Sequence, residues 1–185
     1  MRHYTGSRGS PWSGQRGEWT DARIAPRPDL SDFEQKGSHM RFSICVMADV
    51  DEIGFFSHAE ALGYDSVWVT DSQMLFSDCY AVLALAAQQT RRIRLGPGVA
   101  ICGTRIPPVH VAAMATLNRL APGRVHLGVG TGNTATRSMG RPPMRIAEYA
   151  EHLRVMRGLL GGEPVDYARD GSTRPIKMLD RKSVV

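Results

Sequence analysis

The stretch ALGYDSVWVTD, residues 61–71, combines the end of a helix, a glycine turn and a strand. Gly63 follows residues with helical spacing, and glycine is the commonest residue at the position that ends a helix. Most of residues 66–70 are β-branched or aromatic, which predicts a strand. Asp71 follows this strand directly. The stretch therefore predicts a helix that leads into a sheet strand, with an acidic side chain at the strand's carboxyl end.

On both sides of this stretch, strands and helices are predicted to alternate. The predicted strands cover 41–47, 66–70, 93–96 and 124–129, and the predicted helices begin at 51 or cover 80–89, 109–120 and 146–160. Asp78 precedes the second helix and is a suitable N-cap. Successive strands begin about 25–30 residues apart, which is the spacing of right-handed βαβ units in a parallel sheet.

Two architectures share this order of elements, an open doubly wound sheet and part of a (β/α)₈ barrel. Periodicity alone does not separate them. After the fourth helix, short extended pieces over 164–167 and 175–179 flank Asp170-Gly171, which predicts a β-hairpin insertion. In both architectures a functional site would lie at the carboxyl ends of the strands.

Three of these strand ends carry residues that could form a site. Asp71 could accept hydrogen bonds from a ligand or could cap the next segment. The run LGPGV, residues 95–99, breaks a strand with two glycines, which marks a bulge or the close approach of a ligand to the backbone. The loop GVGTGNT, residues 128–134, offers amides and hydroxyls that suit a polar cofactor or a phosphate. This loop does not have the spacing of a dinucleotide-binding fingerprint.

The histidines give a weaker signal. His58 and His152 lie within predicted helices, and we interpret both as surface groups. His126 lies inside the fourth strand, where a structural role is expected. His110 opens a helix after two prolines and could face the strand ends, so it is a candidate site residue.

Composition and charge exclude several classes of protein. The chain has 185 residues, of which 42% are hydrophobic and 22% charged, and these are globular proportions. No run approaches the ~20 apolar residues that span a bilayer, and no secretory signal is recognisable, so a cytoplasmic protein without a membrane partner is expected. The net charge of +5 is spread thinly, with no basic stripe, so we expect no nucleic-acid partner.

Cysteine usage predicts neither disulfides nor a metal site. Cys45, Cys79 and Cys102 are odd in number and widely spaced, and their spacing with histidine is not that of a zinc site. We interpret them as buried, reduced thiols, and the sequence predicts no metal ligands.

Both ends differ from the middle of the chain. Residues 1–39 are rich in Gly, Ser, Pro and Arg without apolar periodicity, so we predict a disordered or non-native extension. A natural extension and a vector-derived stretch remain alternatives, but we favour a natural start at Met40. The last six residues, 180–185, match a translated sequencing adapter, so a non-native tail is expected, with an ordinary polar tail as the alternative. The natural part of this chain would then cover 40–179 and would be cut near Leu179.

Four segments, in this order, resemble the luciferase-like monooxygenase superfamily. They are residues 61–71, 92–99, 115–124 and 127–133. The resemblance implies a (β/α)₈ TIM barrel that binds FMN or the deazaflavin F420, present here as an incomplete N-terminal half with four βα units and the hairpin. The run over 95–99 is most similar to the F420-dependent branch, such as methylenetetrahydromethanopterin reductase.

The resemblance also implies which residues bind the cofactor. A cis peptide bond between Gly98 and Val99 would back the deazaflavin ring. Asp71 and Ser72 match the pocket position after the second strand. The loop after the fourth strand would lie near the cofactor through Gly130, Thr131, Gly132 and Asn133.

Some positions depart from the family's pattern. Ser72 stands where related enzymes often have histidine, and Ile101 and Ile106 stand where they often have asparagine and histidine. The catalytic residues are therefore undetermined, with Asp71 and His110 as candidates. The substrate is also undetermined beyond its being a small molecule.

The implied activity is that of a flavin- or F420-dependent oxidoreductase. With F420 it is hydride transfer to a carbonyl- or imine-like substrate, and with reduced FMN it is monooxygenation by O₂. A complete barrel takes about 250 residues, so we expect this chain by itself to be inactive and to bind flavin weakly or not at all. A homodimer is implied for the full-length protein.

Two other classes of protein remain open. One is a non-catalytic flavin-binding or dimer-partner protein of the same fold. The other is an open-sheet binding domain without flavin, which would fold as a monomer at this length.

Overall fold

The computed structural model describes residues 40–180. The extension predicted over 1–39 lies outside the described residues, and so does the tail predicted over 180–185 apart from Asp180. The described elements, in chain order, are β1 (Ser43–Val46), α1 (Gly54–Leu62), β2 (Ser66–Val69), α2 (Cys79–Gln89), β3 (Arg94–Pro97), β4 (Ala100–Ile101), a 3₁₀ turn (Cys102–Thr104), α3 (Pro107–Leu120), β5 (Val129–Gly130), α4 (Thr134–Ser138), α5 (Ile146–Leu160), β6 (Val165–Arg169) and β7 (Ser172–Ile176).

The first three strands form a parallel sheet in the order β1-β2-β3. Its register places Cys45 beside Trp68 and Trp68 beside Gly96, so these three residues share one face, which we call the open face. The opposite face carries alternate residues such as Val67 and Leu95, which are buried against the helices in the main core. The helices therefore cover one face of the sheet.

Local signals fix the ends of the first two helices. Gly63 has a φ of +85° and ends α1, as the sequence predicts, because a side chain at that φ would be strained. The Asp78 carboxylate caps α2 by accepting hydrogen bonds from the backbone N–H groups of Tyr80 and Ala81, each at 3.0 Å. These caps set where the chain turns back toward the sheet.

The fourth predicted strand is less regular than expected. The sequence predicts a continuous strand over 124–129, but regular pairing is confined to β5, which lies parallel to β4. The preceding residues still hydrogen-bond along β3, with His126 N–H donating to Leu95 O at 3.0 Å and Gly128 N–H donating to Pro97 O at 3.1 Å. The residues 98–99 that separate β3 from β4 interrupt this ladder, so the regular strand is shortened.

Helix α5 covers the predicted range 146–160. Ala147 and Ala150 near its start are exposed, whereas Val155 and Leu159 are buried. The prediction that His152 lies on the surface is wrong, because this side chain is only 5% exposed. Positions 152, 155, 156 and 159 follow helical spacing, and this stripe packs beneath the hairpin and beside α3.

Helix α3 begins two residues earlier than predicted. The sequence places its start at Val109, whereas the helix begins at Pro107. Proline is well suited to the first helical position because the N–H it lacks has no intrahelical partner there.

The hairpin insertion is confirmed. β6 and β7 pair in antiparallel register with Arg169 opposite Ser172. The two turn residues, Asp170 and Gly171, have φ values of +52° and +77°, which are typical of a type I′ turn. None of the helices in residues 40–180 is both long and apolar enough to cross a membrane.

Candidate functional site

Asp71 occupies the carboxyl end of β2, where it is 3% exposed. Its Oδ2 accepts a hydrogen bond from the backbone N–H of Ile101 at 3.0 Å, and its Oδ1 accepts one from the side-chain amide of Gln73. Burial raises the pKa of the Asp71 carboxyl, and the Ile101 bond and the nearby Arg105 charge oppose this only in part. Asp71 therefore joins the ends of β2 and β4 rather than presenting a free carboxylate.

The third strand end has the backbone geometry that the family resemblance predicts. The peptide bond between Gly98 and Val99 is cis. The backbone carbonyl of Gly98 lies 3.8 Å from the Cys45 Sγ, which places the bond beside the open face. The Val99 side chain is 44% exposed.

Glycines flatten the surface around Val99. A Cβ added to Gly128 would lie 3.3 Å from Val99 Cγ1 and 3.2 Å from Trp68 Cζ3, so Val99 and Trp68 lie on the same side of Gly128. A Cβ added to Gly130 would lie 3.0 Å from Val99 Cγ2. The open face thus continues from Trp68 to the exposed isopropyl group of Val99. The neighbouring strand has glycines, and therefore no side chains, beside this group.

An aromatic pair forms the centre of the open face. The rings of Trp68 and His126 are stacked with centroids 3.8 Å apart. Burial lowers the pKa of the His126 imidazole, with the Arg94 charge adding to the effect and a backbone hydrogen bond with Val67 opposing it. The Nε2 atom of His126 has no hydrogen-bond partner among residues 40–180. His126 packs against Trp68, as the predicted structural role requires, but only one of its ring nitrogens is hydrogen-bonded.

Cysteine positions agree with the sequence-based interpretation in two cases of three. Cys79 and Cys102 are buried, but Cys45 is exposed. The prediction for Cys45 is wrong because this residue faces the open face of an edge strand, which residues 40–180 do not cover. All three thiols are free.

The loop after β5 contacts both β4 and the chain segments that follow the loop. Thr131 O accepts a hydrogen bond from the Met144 N–H at 2.9 Å, and the Asn133 side chain accepts one from Arg137 Nε at 2.7 Å. Gly132 has a φ of +83°, and a Cβ there would lie 2.7 Å from Ile101 Cγ2. The loop is therefore fixed against β4.

The structure brings some of the predicted site residues together. Asp71 bonds to Ile101, which pairs with Gly130 across β4 and β5, while Gly98 and Val99 lie at the adjoining bulge. Ser72 begins the turn after β2, where its carbonyl accepts hydrogen bonds from the N–H groups of residues 75 and 76.

His110 belongs to a different part of the molecule. It is fully buried in the first turn of α3, with its ring centroid 5.8 Å from that of Tyr80 and 5.7 Å from that of His152. Burial, with smaller contributions from the neighbouring His152 and Arg105, lowers the pKa of His110 to about 4. Its ring thus contacts residues of α2 and α5 and is no longer a candidate on the open face.

A Cys–His cluster is the feature that the sequence did not predict. The ligand atoms of Cys102, His110 and His152 all lie within 4.8 Å of one another, although no metal ligands were expected. These residues come from the 3₁₀ turn, α3 and α5, so no short motif joins them. The helical spacing of His152 with Val155 and Leu159 was the one signal that could have placed it inside.

Parallel strand–helix units with helices on one face of the sheet only are the arrangement of a partial (β/α)₈ barrel, whereas a doubly wound sheet has helices on both faces. The sequence profile of the family described as luciferase-like monooxygenase matches residues 40–181, and the chain belongs to this family. The family resemblance noted from the sequence is therefore confirmed, and the open doubly wound sheet is not the architecture of this chain.

Relatives of known activity cover both deazaflavin and flavin enzymes. The chain is 36% identical over 150 residues to the F420-dependent glucose-6-phosphate dehydrogenase of Beutenbergia cavernae, covering 72% of this chain and 44% of that protein. The coenzyme F420-dependent tetrahydromethanopterin reductase of Methanopyrus kandleri has a TM-score of 0.63 at 27% identity, covering 74% of this chain and 45% of that one.

A flavin enzyme shares the fold alone. The oxygenating constituent of 3,6-diketocamphane monooxygenase from Pseudomonas putida, solved with FMN, has a TM-score of 0.64 at 18% identity. That match covers 80% of this chain and 47% of the other. The chain thus spans less than half of the length of each of these three proteins.

Proposed function

We propose that residues 40–180 supply one wall of the cofactor site of an F420-dependent oxidoreductase, which reduces a carbonyl- or imine-like small molecule. The chain belongs to the luciferase-like monooxygenase family, and two F420-dependent enzymes are among its relatives at 36% and 27% identity. The observation that carries the proposal is the exposed Val99 side chain on the glycine-flanked open face.

The open face fits one side of a planar ring system. Val99 presents an apolar group, and Gly128 and Gly130 leave the adjacent strand without side chains. A flat aromatic ligand can approach such a surface closely and cover its apolar area, which favours binding. The loop over 130–133 begins at the edge of this surface and supplies polar backbone groups for the rest of the ligand.

The residues of this chain would position the bound ring and shield it from water. They are not proposed to exchange protons with the substrate. Reduced F420, when bound, supplies a hydride to the substrate. Val99 covers one side of the ring site and excludes water from it. Asp71 holds β4, and with it the bulge that carries Val99, because both carboxylate oxygens accept internal hydrogen bonds. We therefore assign Asp71 as a positioning residue.

The chain by itself is expected to bind F420 weakly. Among residues 40–180, β1 and β5 each pair with a strand on one side only, so this part of the chain supplies an incomplete wall around the ligand. A tight, stoichiometric F420 complex of this chain in a fluorescence titration would contradict this expectation.

The activity is tested on a longer protein. The source DNA is read past the codon of residue 179, and the extended chain is expressed and assayed with reduced F420 under anaerobic conditions. We expect F420 oxidation with equimolar reduction of an aldehyde, ketone or imine substrate. Oxygen-dependent turnover of reduced FMN, with no F420 turnover, would instead establish the monooxygenase alternative.

A matched pair of variants tests the role of Val99 in that assay. Val99→Arg and Val109→Arg introduce the same group at sites of similar exposure, 44% and 47%. Only Val99→Arg is expected to lower kcat/KM for F420, by about 100-fold, because a charged side chain would occupy the ring surface. Equal effects of both variants would contradict the proposed contact. A reading frame without further strand–helix units would favour the non-catalytic partner protein.

A further inference from the structure

We propose that Cys102, His110 and His152 bind a thiophilic divalent cation, for which Zn²⁺ is the probe. Their ligand atoms all lie within 4.8 Å of one another. The site lies between the 3₁₀ turn, α3 and α5. The inference does not rest on the proposed function, because the three ligands are not among the residues of the proposed ring surface, Val99, Gly128 and Gly130.

The donor set suits a borderline-soft cation. Two imidazole nitrogens and one thiolate sulfur are ligands that Zn²⁺ prefers, and hard cations such as Mg²⁺ or Ca²⁺ prefer oxygen. Three protein ligands with a water in the fourth position form a common tetrahedral zinc site. The chemistry of the three residues therefore selects the class of metal.

The distances need only a small adjustment. Zn–N and Zn–S bonds of about 2.0 and 2.3 Å place one sulfur and two nitrogens of a tetrahedral site roughly 3.3–3.6 Å apart. The three atoms here lie within 4.8 Å before any metal draws them together. Contraction by about 1 Å is within the reach of small χ rotations about existing rotamers.

Burial makes a metal-free arrangement costly. Cys102, His110 and His152 are 1%, 0% and 5% exposed. Neither ring nitrogen of His110 has a hydrogen-bond partner within the described part of the chain, and the same is true of His152 Nε2. An unpaired buried polar atom destabilises the folded state, and a cation would satisfy one nitrogen of each ring.

The surroundings of the thiol also favour a bound cation. The backbone N–H of Gly130 donates a hydrogen bond to Cys102, and the carboxylate of Asp71 is a nearby negative charge. Arg105 is the opposing positive charge, but its guanidinium lies over the Tyr80 ring and forms an ion pair with Asp78 at 2.6 Å. The Arg105 charge is thus paired with Asp78, which leaves Asp71 as a negative charge near the cluster.

A cavity gives the cation a route to the site. A space of about 890 Å³ lies between α5, the hairpin and the 3₁₀ turn, and Cys102 and His152 are part of its lining. Three acidic side chains and three arginines line this space, so the lining carries no net positive charge that would repel a cation: Glu148, Glu151, Asp170, Arg105, Arg141 and Arg169. The cluster is therefore buried but borders an open path.

Binding of Co²⁺ identifies the ligand atoms directly from its visible spectrum. The full chain, freed of metal with a chelator, is titrated with Co²⁺, and Zn²⁺ is then added in competition. We expect one equivalent of Co²⁺, with visible bands of a tetrahedral ion and a thiolate charge-transfer band, both removed by Zn²⁺. Absence of the charge-transfer band would overturn the proposal.

Matched variants locate the site. Cys102→Ser is compared with Cys79→Ser, because both thiols are 1% exposed and only the first belongs to the cluster. His152→Gln is compared with His58→Gln, whose side chain is exposed. All four are made in a Cys45→Ser background, so that the exposed thiol does not contribute. The cluster variants are expected to lose more than about 100-fold in Zn²⁺ affinity, which exceeds the effect of outer-shell changes, and the controls should lose none.

X-ray absorption identifies the zinc ligands in the unmutated chain, so this test does not depend on a cluster variant that folds. The Zn²⁺ complex of the unmutated chain is expected to show one sulfur at about 2.3 Å and two imidazole nitrogens at about 2.0 Å. A shell of oxygen ligands alone would mean adventitious surface binding and would overturn the site.

Discussion

The Asp71 carboxylate accepts a hydrogen bond from the backbone N–H of Ile101 at 3.0 Å, although the two residues are 30 positions apart in the chain. This bond joins the carboxyl end of β2 to β4 directly after the bulge at residues 98–99. An acid that the sequence indicated as a ligand contact thus fixes the backbone around the proposed ring site.

Replacing Asp71 by alanine should destabilise the chain. The Ile101 N–H would lose its buried partner, and such a loss costs about 1–3 kcal/mol. Urea unfolding at neutral pH measures the change. Asp51→Ala, at an exposed position, is the control and should change stability by less than about 0.5 kcal/mol. Equal stability of the two variants would contradict the structural role of Asp71.

The stability contribution of Asp71 should fall as pH rises. Burial raises its folded-state pKa above the ordinary value of 3.8, so the folded state holds the proton more tightly than the unfolded state. This pH-dependent part of the contribution is complete below the unfolded pKa and is lost as pH rises through the folded pKa, while the hydrogen bond from the Ile101 N–H remains. The unfolding free energy of Asp71→Asn, measured with urea relative to that of the unmutated chain, should therefore rise between pH 4 and 7. A constant difference across this range would contradict the raised pKa.

Glu60 should show the opposite dependence on pH. Burial would raise its pKa, but backbone N–H groups of Ile93, Arg92 and Arg91 all donate to the carboxylate, and the net effect is a pKa below 4.5. Its stabilisation is present above the unfolded pKa and is lost as pH falls through the folded pKa.

A Glu60→Gln variant tests this hydrogen-bonded acid. We expect a loss of about 1–2 kcal/mol in unfolding free energy at pH 7, and this loss should shrink below about pH 4.5 as the native carboxyl is protonated. Glu148→Gln is the control, because Glu148 lies in an exposed ion pair with Arg145 and should have little effect. A larger loss in the control would refute the assignment.

Gly96 should tolerate no side chain. An added Cβ would lie 2.0 Å from the backbone carbonyl oxygen of His126, and a neighbouring backbone atom cannot move away as a flexible side chain could. Gly96→Ala should lower the unfolding free energy by about 3 kcal/mol or more. Gly54→Ala is the matched control, because nothing lies within 4 Å of its added Cβ and alanine favours helix α1. Thermal unfolding of both variants would decide, and a stable Gly96→Ala protein would be inconsistent with this close approach.

Features that depend on adjacent residues could be predicted from the sequence. Gly63 ends a helix, Asp78 caps one, and Asp170-Gly171 forms a type I′ turn, because each conformation is set by the residue itself and its near neighbours. The order of strands and helices follows from the same local signals. The family resemblance then selected the barrel from the two architectures that periodicity left open.

Features that depend on contacts between distant segments could not be predicted in this way. The irregular fourth strand follows from the bulge in its neighbour, and the burial of His152 follows from the packing of α5 beside α3 and the hairpin. The cluster of Cys102 with His110 and His152 spans three elements, so only the fold brings its members together.

The proposed contact between F420 and Val99 is tested most directly by NMR of methyl groups in this chain. Chain labelled at its valine methyl groups is titrated with F420 to millimolar concentration, which detects weak binding, and FMN is compared at the same concentrations. The account predicts that F420 shifts the Val99 methyl signals more than FMN does and leaves those of the similarly exposed Val109 unchanged. Unchanged Val99 signals, or equal shifts at Val99 and Val109, would contradict the proposed ring site.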